Sequence, residues 1–407
     1  MTRVQEGRGP MASKWILLLV LLAIQAMSTG AVAYSFGLWV DPVATEFGVE
    51  RKAVLGILAA FGIASCAASA IFGRMLDHGA PRTLLLIGVA ALGGGLILAS
   101  VAPNLWSLYL VFAIIFPASV VFAGSLIAIS LITRAFEQRR GLALGVALTG
   151  GSIGGAIIPN IFAALLADHG WRGANLYLGA FTIIVLLPVI LLVVPAGGAV
   201  ARAPRGTESL TARSIFGAPQ FWLSVLSVLA FLAVAAAIQP NIAPYAADLN
   251  VGLKPAALLI TTFAFAIIVG RVLSGYLSDK VALPTLWMVV AVIQMVALAL
   301  LSNEPGLPRL HMALVLVGLG SGAVAPMQAV LFTRLFGARS VGRVMGLAVP
   351  FFAVVSVTAP LAAWVRERTG SYDPVFYAAI VITLLTIPLI MMMGRPNTRL
   401  QTAEPSG

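Results

Sequence analysis

Arg271 is the residue whose position in the sequence most clearly suggests a chemical role. It lies inside a strongly apolar segment, 256–277, eight residues before Asp279, and no Asp or Glu lies deep in any comparable segment. At 1.5 Å per residue its α-carbon would lie about 12 Å from the helix end, near the middle of an apolar layer. A charge there costs at least ~2.5 kcal/mol unless it meets water or a counter-ion. Because a guanidinium binds a carboxylate through two hydrogen bonds, Arg271 is a candidate site for an organic anion.

A structural role for Arg271 stays open beside this one. Its long side chain could extend to the end of its helix or donate to a backbone carbonyl. Four other polar residues in apolar segments are candidates for contact with the same ligand: Tyr34, Gln239, Asn241 and Gln328. Gln239-Pro240-Asn241 should interrupt its helix, and a broken helix frees backbone groups for a ligand. Each of these side chains could equally hydrogen bond to a neighbouring helix.

The elements that must position these residues are membrane-spanning helices. The chain is 60% hydrophobic and 10% charged, whereas soluble domains carry about 25% charge. A lipid-facing helix bundle accommodates this much apolar surface. We predict an all-α protein of twelve transmembrane helices near 15–40, 53–73, 83–102, 106–132, 141–167, 172–195, 221–247, 256–277, 284–302, 309–333, 343–365 and 374–394. The first stretch is too long for a cleaved signal core.

Composition excludes several other classes of protein. The net charge of +11 comes from residues in short loops and forms no basic face, so no nucleic-acid partner is expected. One cysteine permits no intramolecular disulfide, and the three histidines fall at segment ends, so we predict neither a metal site nor a cofactor. No motif gathers a nucleophile and a base, and no nucleotide-binding loop is present. We therefore expect neither an enzyme nor an ATP-driven pump.

The chain repeats itself after about 200 residues. G-R-M-L-D-H begins at Gly73, and G-Y-L-S-D-K begins at Gly275. Other landmarks recur in the same order, namely Gly141, Gly145 and Pro159 as Gly342, Gly346 and Pro360. We therefore predict two six-helix halves, 1–196 and 221–407, joined by a polar linker over 197–220. Two like halves facing one another is how many secondary transporters are built.

The distribution of Lys and Arg predicts orientation. When the N-terminus is placed in the cytoplasm, most basic residues lie on the cytoplasmic side. We expect a multi-pass protein of the cell (inner or plasma) membrane with both termini in the cytoplasm, embedded in the lipid bilayer and functional as a monomer.

The repeated loop motif resembles that of the major facilitator superfamily. The residues that carry the resemblance are Gly73, Asp77 and Arg82 in the first half and Gly275, Asp279 and Lys280 in the second. A glycine lets two helices approach closely, and an Asp just past a helix end can accept from a neighbouring helix N-terminus or pair with Arg. The resemblance implies a latch that closes the cytoplasmic side. The match departs from the family pattern at His78 and Pro81.

Residues 139–154, R-R-G-L-A-L-G-V-A-L-T-G-G-S-I-G, resemble the fifth-helix signature of the monocarboxylate transporter family, in its oxalate–formate antiporter-like branch. Arg139 and Arg140 give the match most of its specificity. Gly150 and Gly154 belong to a stripe of small residues that lets helices approach closely. These four residues are candidate parts of the conformational machinery.

This resemblance implies a substrate and a means of coupling. Carboxylate-transporting relatives place a substrate-binding Arg in the eighth helix, where Arg271 stands, and relatives that carry dicarboxylates add a cation in the eleventh, which has none here over 344–365. We therefore predict a secondary active transporter for a small organic monoanion, working by alternating access. Ile267 stands where proton-coupled relatives often have an Asp, and the first helix has no lysine beyond Lys14. This favours anion exchange, or uptake in which the substrate brings its own proton. The alternative is an efflux transporter for amphipathic drugs.

Overall fold

Helices account for nearly all of the described chain. The computed structural model describes residues 11–78, 80–124, 127–128, 131–132, 146, 149–194, 211–278, 280–337 and 340–393. Arg139, Arg140 and Asp279 lie outside these residues. Gly73 and Asp77 lie within a helix by their backbone, and their side chains are outside the description.

The first half contains six membrane-spanning helices. They are α1 (11–47, built from Met11–Thr29, a π-helical turn Gly30–Tyr34, and Phe36–Phe47), α2 (Arg51–His78), α3 (Pro81–Ser100), α4 (Leu105–Phe122), α5 (150–169) and α6 (171–193). Helices α5 and α6 form one apolar run, Gly150–Val193, which changes direction at Gly170, where φ is 69° and ψ is 175°. A residue with a β-carbon rarely adopts this φ, so glycine is the natural residue at this corner.

The second half repeats the arrangement. It contains α7 (Pro219–Ile238, a 3₁₀ turn Gln239–Asn241, and Ile242–Asp248), α8 (Leu253–Ser278), α9 (Leu283–Leu301), α10 (Leu307–Phe336), α11 (341–369, with a 3₁₀ turn Ala353–Val357) and α12 (Asp373–Met393). A short helix, Ala212–Phe216, precedes α7. The prediction of an all-α protein with twelve transmembrane helices is confirmed, and so is the predicted break in α7. The residue limits of the two halves and the linker stay a prediction.

The ends of α1 and α7 show the duplication at atomic detail. A left-handed residue follows each helix: Gly48 after α1, with φ of 62°, and Asn250 after α7, with φ of 56°, which is 202 residues later. In α1 the Val49 amide donates to the Ala44 carbonyl at 3.0 Å, and in α7 the Val251 amide donates to the Ala246 carbonyl at 2.8 Å. Left-handed residues at this position satisfy the last carbonyls of a helix. The two halves therefore use the same helix ending at equivalent positions.

The two ends of the bundle are distinguished by their connections. We call the ionic face the end that carries the connections after α1, α7 and α11, at 48–50, 249–252 and 370–372. We call the motif face the opposite end, with the connections after α2 and α8, at 79–80 and 279–282. Because consecutive spans alternate in direction, α1 and α7 run toward the ionic face and α8 runs away from it.

Glycines bring α1 and α5 into backbone contact. A β-carbon added at Gly154 would lie 2.0 Å from the Ala26 carbonyl oxygen, and one added at Gly150 would lie 2.8 Å from that of Leu22. In the second half, a β-carbon added at Gly322 in α10 would lie 2.2 Å from the Ile267 carbonyl oxygen in α8. Small residues therefore let the helix backbones touch, as their composition predicts.

The expected close approach is not found at Gly275. A β-carbon built there meets no described atom within 4 Å. The ammonium of Lys280, later in the same motif, contacts the Tyr276 hydroxyl and lies 4.2 Å from the centre of its ring. In the second half, no described atom packs closely against the motif glycine. The close contacts of α8 with α10 lie earlier in the helix, where a β-carbon added at Gly270 would be 2.2 Å from the Leu319 carbonyl oxygen.

Candidate substrate-binding site

Arg271 lies in the part of α8 that is nearer to the motif face. Helix α8 runs from Leu253 to Ser278, so at 1.5 Å per residue Arg271 is about 27 Å from its start and about 10 Å from its end. The side chain is half-buried, and the Arg271 amide would lie 3.0 Å from a β-carbon on Gly322 of α10. The sequence predicts a distance of about 12 Å from the helix end at Asp279, and the structure agrees, with about 10 Å between Arg271 and Ser278.

Tyr34, in the opposite half, interacts electrostatically with Arg271. Its hydroxyl lies within electrostatic reach of the Arg271 guanidinium and hydrogen bonds with Ser152 of α5. The Tyr34 ring lies directly over Gly155, where an added β-carbon would be 2.7 Å from the ring, and its centre is 6.5 Å from that of Phe263 in α8. The two halves therefore place a phenol and a cation within electrostatic reach of each other at their seam.

A π-helical turn in α1 positions Tyr34. The turn covers Gly30–Tyr34 and ends at Ser35, whose amide and hydroxyl both donate to the Gly30 carbonyl, at 2.9 Å and 2.8 Å. One such turn inserts an extra residue and rotates everything after it around the helix axis, and these turns are frequent at functional sites. Gly30 permits the turn to press against α5, because a β-carbon there would lie 2.7 Å from the Gly154 carbonyl oxygen.

The broken part of α7 brings Gln239 and Asn241 to different places. The Gln239 amide nitrogen lies 3.4 Å from the Ala33 carbonyl of α1, so it reaches across to the other half. The Asn241 amide nitrogen donates to the carbonyls of Ala237 and Ala359, at 2.8 Å and 3.2 Å, and its oxygen accepts from the Tyr372 hydroxyl at 3.0 Å. Asn241 is buried and joins α7 to α11 and to the connection between α11 and α12.

Gln328 lies in α10 and is 7% exposed. Within the described part of the chain, no partner accepts a hydrogen bond from its side-chain nitrogen. An unsatisfied buried amide costs about 1–3 kcal/mol, so a ligand or water at this position would lower the free energy of the folded state. The contact between Gln328 and substrate stays a prediction.

Among the described residues, three contacts between the halves lie on the ionic-face side of Arg271. The Asn160 amide of α5 donates to the Thr261 hydroxyl of α8 at 2.6 Å, about 12 Å from the start of α8. That hydroxyl lies 2.9 Å from the Ala156 carbonyl of α5. Other contacts join α2 with α11 and α1 with α7, where β-carbons added at Gly62 and Gly37 would lie 2.5 Å from the Ser356 β-carbon and 2.7 Å from the Pro240 carbonyl oxygen.

A group of ionic side chains joins the halves at the ionic face. The Arg51 guanidinium donates to Asp41 at 2.5 Å within its own half and to Asp248 of the other half at 2.8 Å. Asp248 also accepts two hydrogen bonds from Arg366, at 2.9 Å and 2.8 Å. Beside them the Lys52 ammonium lies 3.1 Å from Glu367. We call Asp41, Arg51, Asp248 and Arg366 the ionic cluster.

Glu46 and Asp248 occupy equivalent positions, 202 residues apart, and make different contacts. Glu46 accepts two hydrogen bonds from Arg172, at 2.8 Å and 2.7 Å, and one from the Trp171 indole at 2.5 Å, all within the first half. The Arg172 hydrogen bonds hold the pKa of the Glu46 carboxyl below its usual value, and partial burial opposes them; Glu46 lies beyond the spanning part of α1, Lys14–Tyr34. Only the second copy of this carboxylate bridges the two halves.

Sequence reasoning missed the residues that act between helices. Ser152 falls inside the fifth-helix signature and was overlooked, although a serine between glycines is a hydrogen-bonding group in a helix contact. Asn160, which follows Pro159 in α5, was equally recognisable as a polar side chain in an apolar segment. Nothing in the sequence could pair Arg51 with Asp248, because they lie 197 residues apart.

Twelve membrane-spanning helices in two like halves, with a cationic side chain where the halves meet, define a membrane transport protein. The chain belongs to the Major Facilitator Superfamily, whose family model matches residues 17–360 and 236–406. It is 30% identical to monocarboxylate transporter 13 of Rattus norvegicus over 384 residues, which is 90% of this chain and 85% of that protein. It is 27% identical to monocarboxylate transporter 11 of Homo sapiens over 383 residues, or 89% and 79% of the two chains. The predicted resemblance is confirmed.

Solved structures show the same fold. The chain is similar to a bacterial homologue of the human lysosomal transporter Spinster, crystallised in an inward-facing and unoccupied conformation, with a TM-score of 0.72, 16% sequence identity, and coverage of 95% of this chain and 96% of that one. The occupied form of that protein gives a TM-score of 0.67. At this identity the likeness concerns the fold.

Proposed function

We propose that this protein moves a small organic monoanion, a monocarboxylate, across the membrane by alternating access. The observation that carries the proposal is that Arg271 of the second half and Tyr34 of the first lie within electrostatic reach of each other, beside the 6.5 Å ring contact between Tyr34 and Phe263. A guanidinium offers parallel donors to a carboxylate, and a phenol adds a further donor. The names of the relatives, monocarboxylate transporters 11 and 13, agree with this chemistry.

A site on the seam can couple binding to movement. Arg271 belongs to α8 in the second half, while Tyr34 and Ser152 belong to α1 and α5 in the first. A carboxylate held by both sides makes contacts that change when the halves rotate, which is the differential affinity that a ligand needs to shift a conformational equilibrium. Gln239 reaches across the same seam, and we assign Asn241 to support of the α7 break.

The charge of the site favours a monoanion. Within the interior of α11, over 344–365, the sequence has no cation that could bind a second carboxylate. A dicarboxylate would then bring a second negative charge into an apolar site, which costs several kcal/mol without a partner. We therefore infer a substrate with one carboxylate and a small, mainly apolar remainder.

The contacts between the halves at the ionic face support assigning the two faces to opposite sides of the membrane. The halves are joined on the ionic-face side of the site by the ionic cluster and by the Asn160–Thr261 hydrogen bond. We assign the ionic face to the outside of the cell and the motif face, with both termini, to the cytoplasm. The loop motifs, with Gly73, Asp77 and Arg82 and with Gly275, Asp279 and Lys280, would then control cytoplasmic closure together with Arg139 and Arg140, and the protein would act as a monomer.

Anion exchange is the coupling that we propose. Ile267 lies one turn before Arg271, and the sequence places no Asp or Glu deep in a span, so a buried carboxyl that could carry a proton is missing from the expected position. A bound anion neutralises Arg271, so the loaded carrier reorients across the apolar layer more readily than the empty one.

Reconstituted vesicles test both transport and coupling. We expect labelled monocarboxylate to enter vesicles preloaded with the unlabelled compound several-fold faster than it enters empty vesicles under an inward proton gradient. Protein-free vesicles and vesicles with the Arg271→Ala variant are the controls. Failure to accumulate any monocarboxylate would overturn the proposed function, and strong gradient-driven uptake into empty vesicles would overturn exchange while leaving the function in place.

A further inference from the structure

The ionic cluster contains two kinds of contact. One kind crosses between the halves, from Arg51 in α2 to Asp248 at the end of α7. The other kind stays within a half, from Arg51 to Asp41 in the first and from Arg366 to Asp248 in the second. Each residue of the cross-half pair therefore has a second partner of opposite charge in its own half.

The geometry shows that the second partners are strong ones. Arg366 holds Asp248 through two parallel bonds, from Nε to Oδ2 at 2.9 Å and from Nη2 to Oδ1 at 2.8 Å. Arg51 uses its Nε for Asp41 and its Nη1 for Asp248, so one guanidinium divides its donors between the halves. Two-point carboxylate contacts are among the stronger hydrogen bonds in proteins.

We propose that the ionic face opens by exchange of partners, so that Arg51 and Asp248 separate while Asp41 and Arg366 keep each of them paired. The inference rests on the alternating access assigned under the proposed function. An ion left without a partner at the edge of the membrane is unfavourable, whereas an ion that passes from two partners to one loses little. The retaining partners Asp41 and Arg366 thus make opening accessible, and the cross-half pair makes closure favourable.

The neighbouring lysine follows the same pattern. The Lys52 ammonium contacts Glu50 in its own half and Glu367 in the other, and the Lys52 amide donates to Glu367 at 3.0 Å. When the halves part, Glu50 remains with Lys52. By contrast Glu46, the repeat equivalent of Asp248, makes the contacts described above entirely within its half, which makes it a matched control.

Partner exchange predicts that substitutions within the ionic cluster shift the balance between the open and closed populations in opposite directions. Removing a cross-half residue, by Arg51→Gln or Asp248→Asn, should increase the population that is open at the ionic face. Removing a retaining residue, by Asp41→Asn or Arg366→Gln, should increase the closed population, because opening would then strand Arg51 or Asp248. We expect each change in the closed-to-open ratio to be roughly 1.5-fold to fivefold, as for exposed ion pairs.

The measurement is a distance distribution between two spin labels across the ionic face. Thr45→Cys and Ala247→Cys are repeat-equivalent exposed positions in opposite halves, and Cys66→Ser removes the native thiol. Double electron–electron resonance on protein in lipid nanodiscs should give longer distances for Asp248→Asn and shorter ones for Asp41→Asn. Glu46→Gln should leave the distribution unchanged. Shifts of the same sign for all four cluster variants, or opening by Asp41→Asn, would overturn the proposal.

A charge exchange gives a second, independent test. In the double variant Arg51→Asp with Asp248→Arg, the cross-half pair is preserved with reversed sign. The new carboxylate faces Asp41 and the new guanidinium faces Arg366 in both states, and only the cross-half pair of the closed state offsets these like charges. Partner exchange therefore predicts a more closed population than in the wild type. A simple ion-pair gate predicts recovery of the wild-type ratio, and that recovery would contradict the proposal. Spin-label distances require no substrate, so this outcome is separate from the outcome of the transport assay.

Discussion

Arg271→Ala and Arg271→Lys are both expected to abolish uptake of a monocarboxylate while the protein still reaches the membrane. Hydrogen bonds to a charged group contribute about 1.5–3 kcal/mol, which corresponds to roughly 10- to 150-fold in affinity. The lysine variant keeps the charge and loses the two-point geometry that a guanidinium gives beside Tyr34. The measurement is initial uptake in vesicles, normalised to the amount of reconstituted protein.

Arg213→Ala is the matched control, because it removes the same charge from an exposed position before α7. It should transport at the wild-type rate. Wild-type transport by Arg271→Ala would remove this residue from the site. A loss of expression in both Arg271 variants would be resolved by Tyr34→Phe, which removes one hydroxyl and should reduce uptake with little effect on folding.

Gly154→Ala should have the largest effect on stability. The new β-carbon would lie 2.0 Å from the carbonyl oxygen of Ala26 and 2.6 Å from its α-carbon, so it meets backbone that no side-chain rotation can move. Overpacking of this kind typically costs about 1–3 kcal/mol. We expect the melting temperature to fall by several degrees and transport to fall with it, because α1 also carries Tyr34.

Gly94→Ala separates this packing effect from a general effect of alanine. Gly94 lies within α3, and a β-carbon there meets nothing within 4 Å. Alanine favours a helix over glycine by about 0.5–1 kcal/mol, so this variant should melt at the same temperature or higher. Equal melting temperatures for Gly154→Ala and Gly94→Ala would show that the backbone contact between α1 and α5 does not limit the stability of the protein.

The sequence was sufficient for the architecture because the architecture depends on local signals. Each apolar run is about as long as a bilayer core requires, and each recurs after about 200 residues. Gln239-Pro240-Asn241 breaks α7 as predicted, because proline removes a backbone donor from the helix. Gly150 and Gly154 likewise lie on a helix contact, as their spacing on one face predicts.

The site could be predicted in part. Arg271 was recognisable because a charge in an apolar segment is unfavourable wherever the segment packs. Its partner in the other half was less certain, since the π-helical turn at Gly30–Tyr34 determines where the Tyr34 side chain points, and no residue type marks such a turn. Asn241 shows another limit. A polar residue in a broken helix can serve a ligand or a neighbouring helix, and here it bonds to α11 and to the connection that precedes α12.

The ionic cluster lay beyond prediction for a physical reason. Arg51, Asp41, Asp248 and Arg366 are charged residues near helix ends, where solvated charges are ordinary. Their pairing depends on how the two halves meet, and neither half contains that information alone. The repeat itself is misleading here, because Glu46 and Asp248 are equivalent in sequence and only Asp248 crosses the seam.

Ligand-induced thermal stabilisation of the purified protein tests the central claim most directly. The panel consists of monocarboxylates, dicarboxylates of matched length and cationic dyes, each measured with the wild type and with Arg271→Ala. The account predicts that monocarboxylates raise the melting temperature of the wild type, that dicarboxylates raise it less, and that Arg271→Ala responds to neither. Stabilisation by cationic dyes without any response to carboxylates, or an equal monocarboxylate response in both proteins, would contradict it.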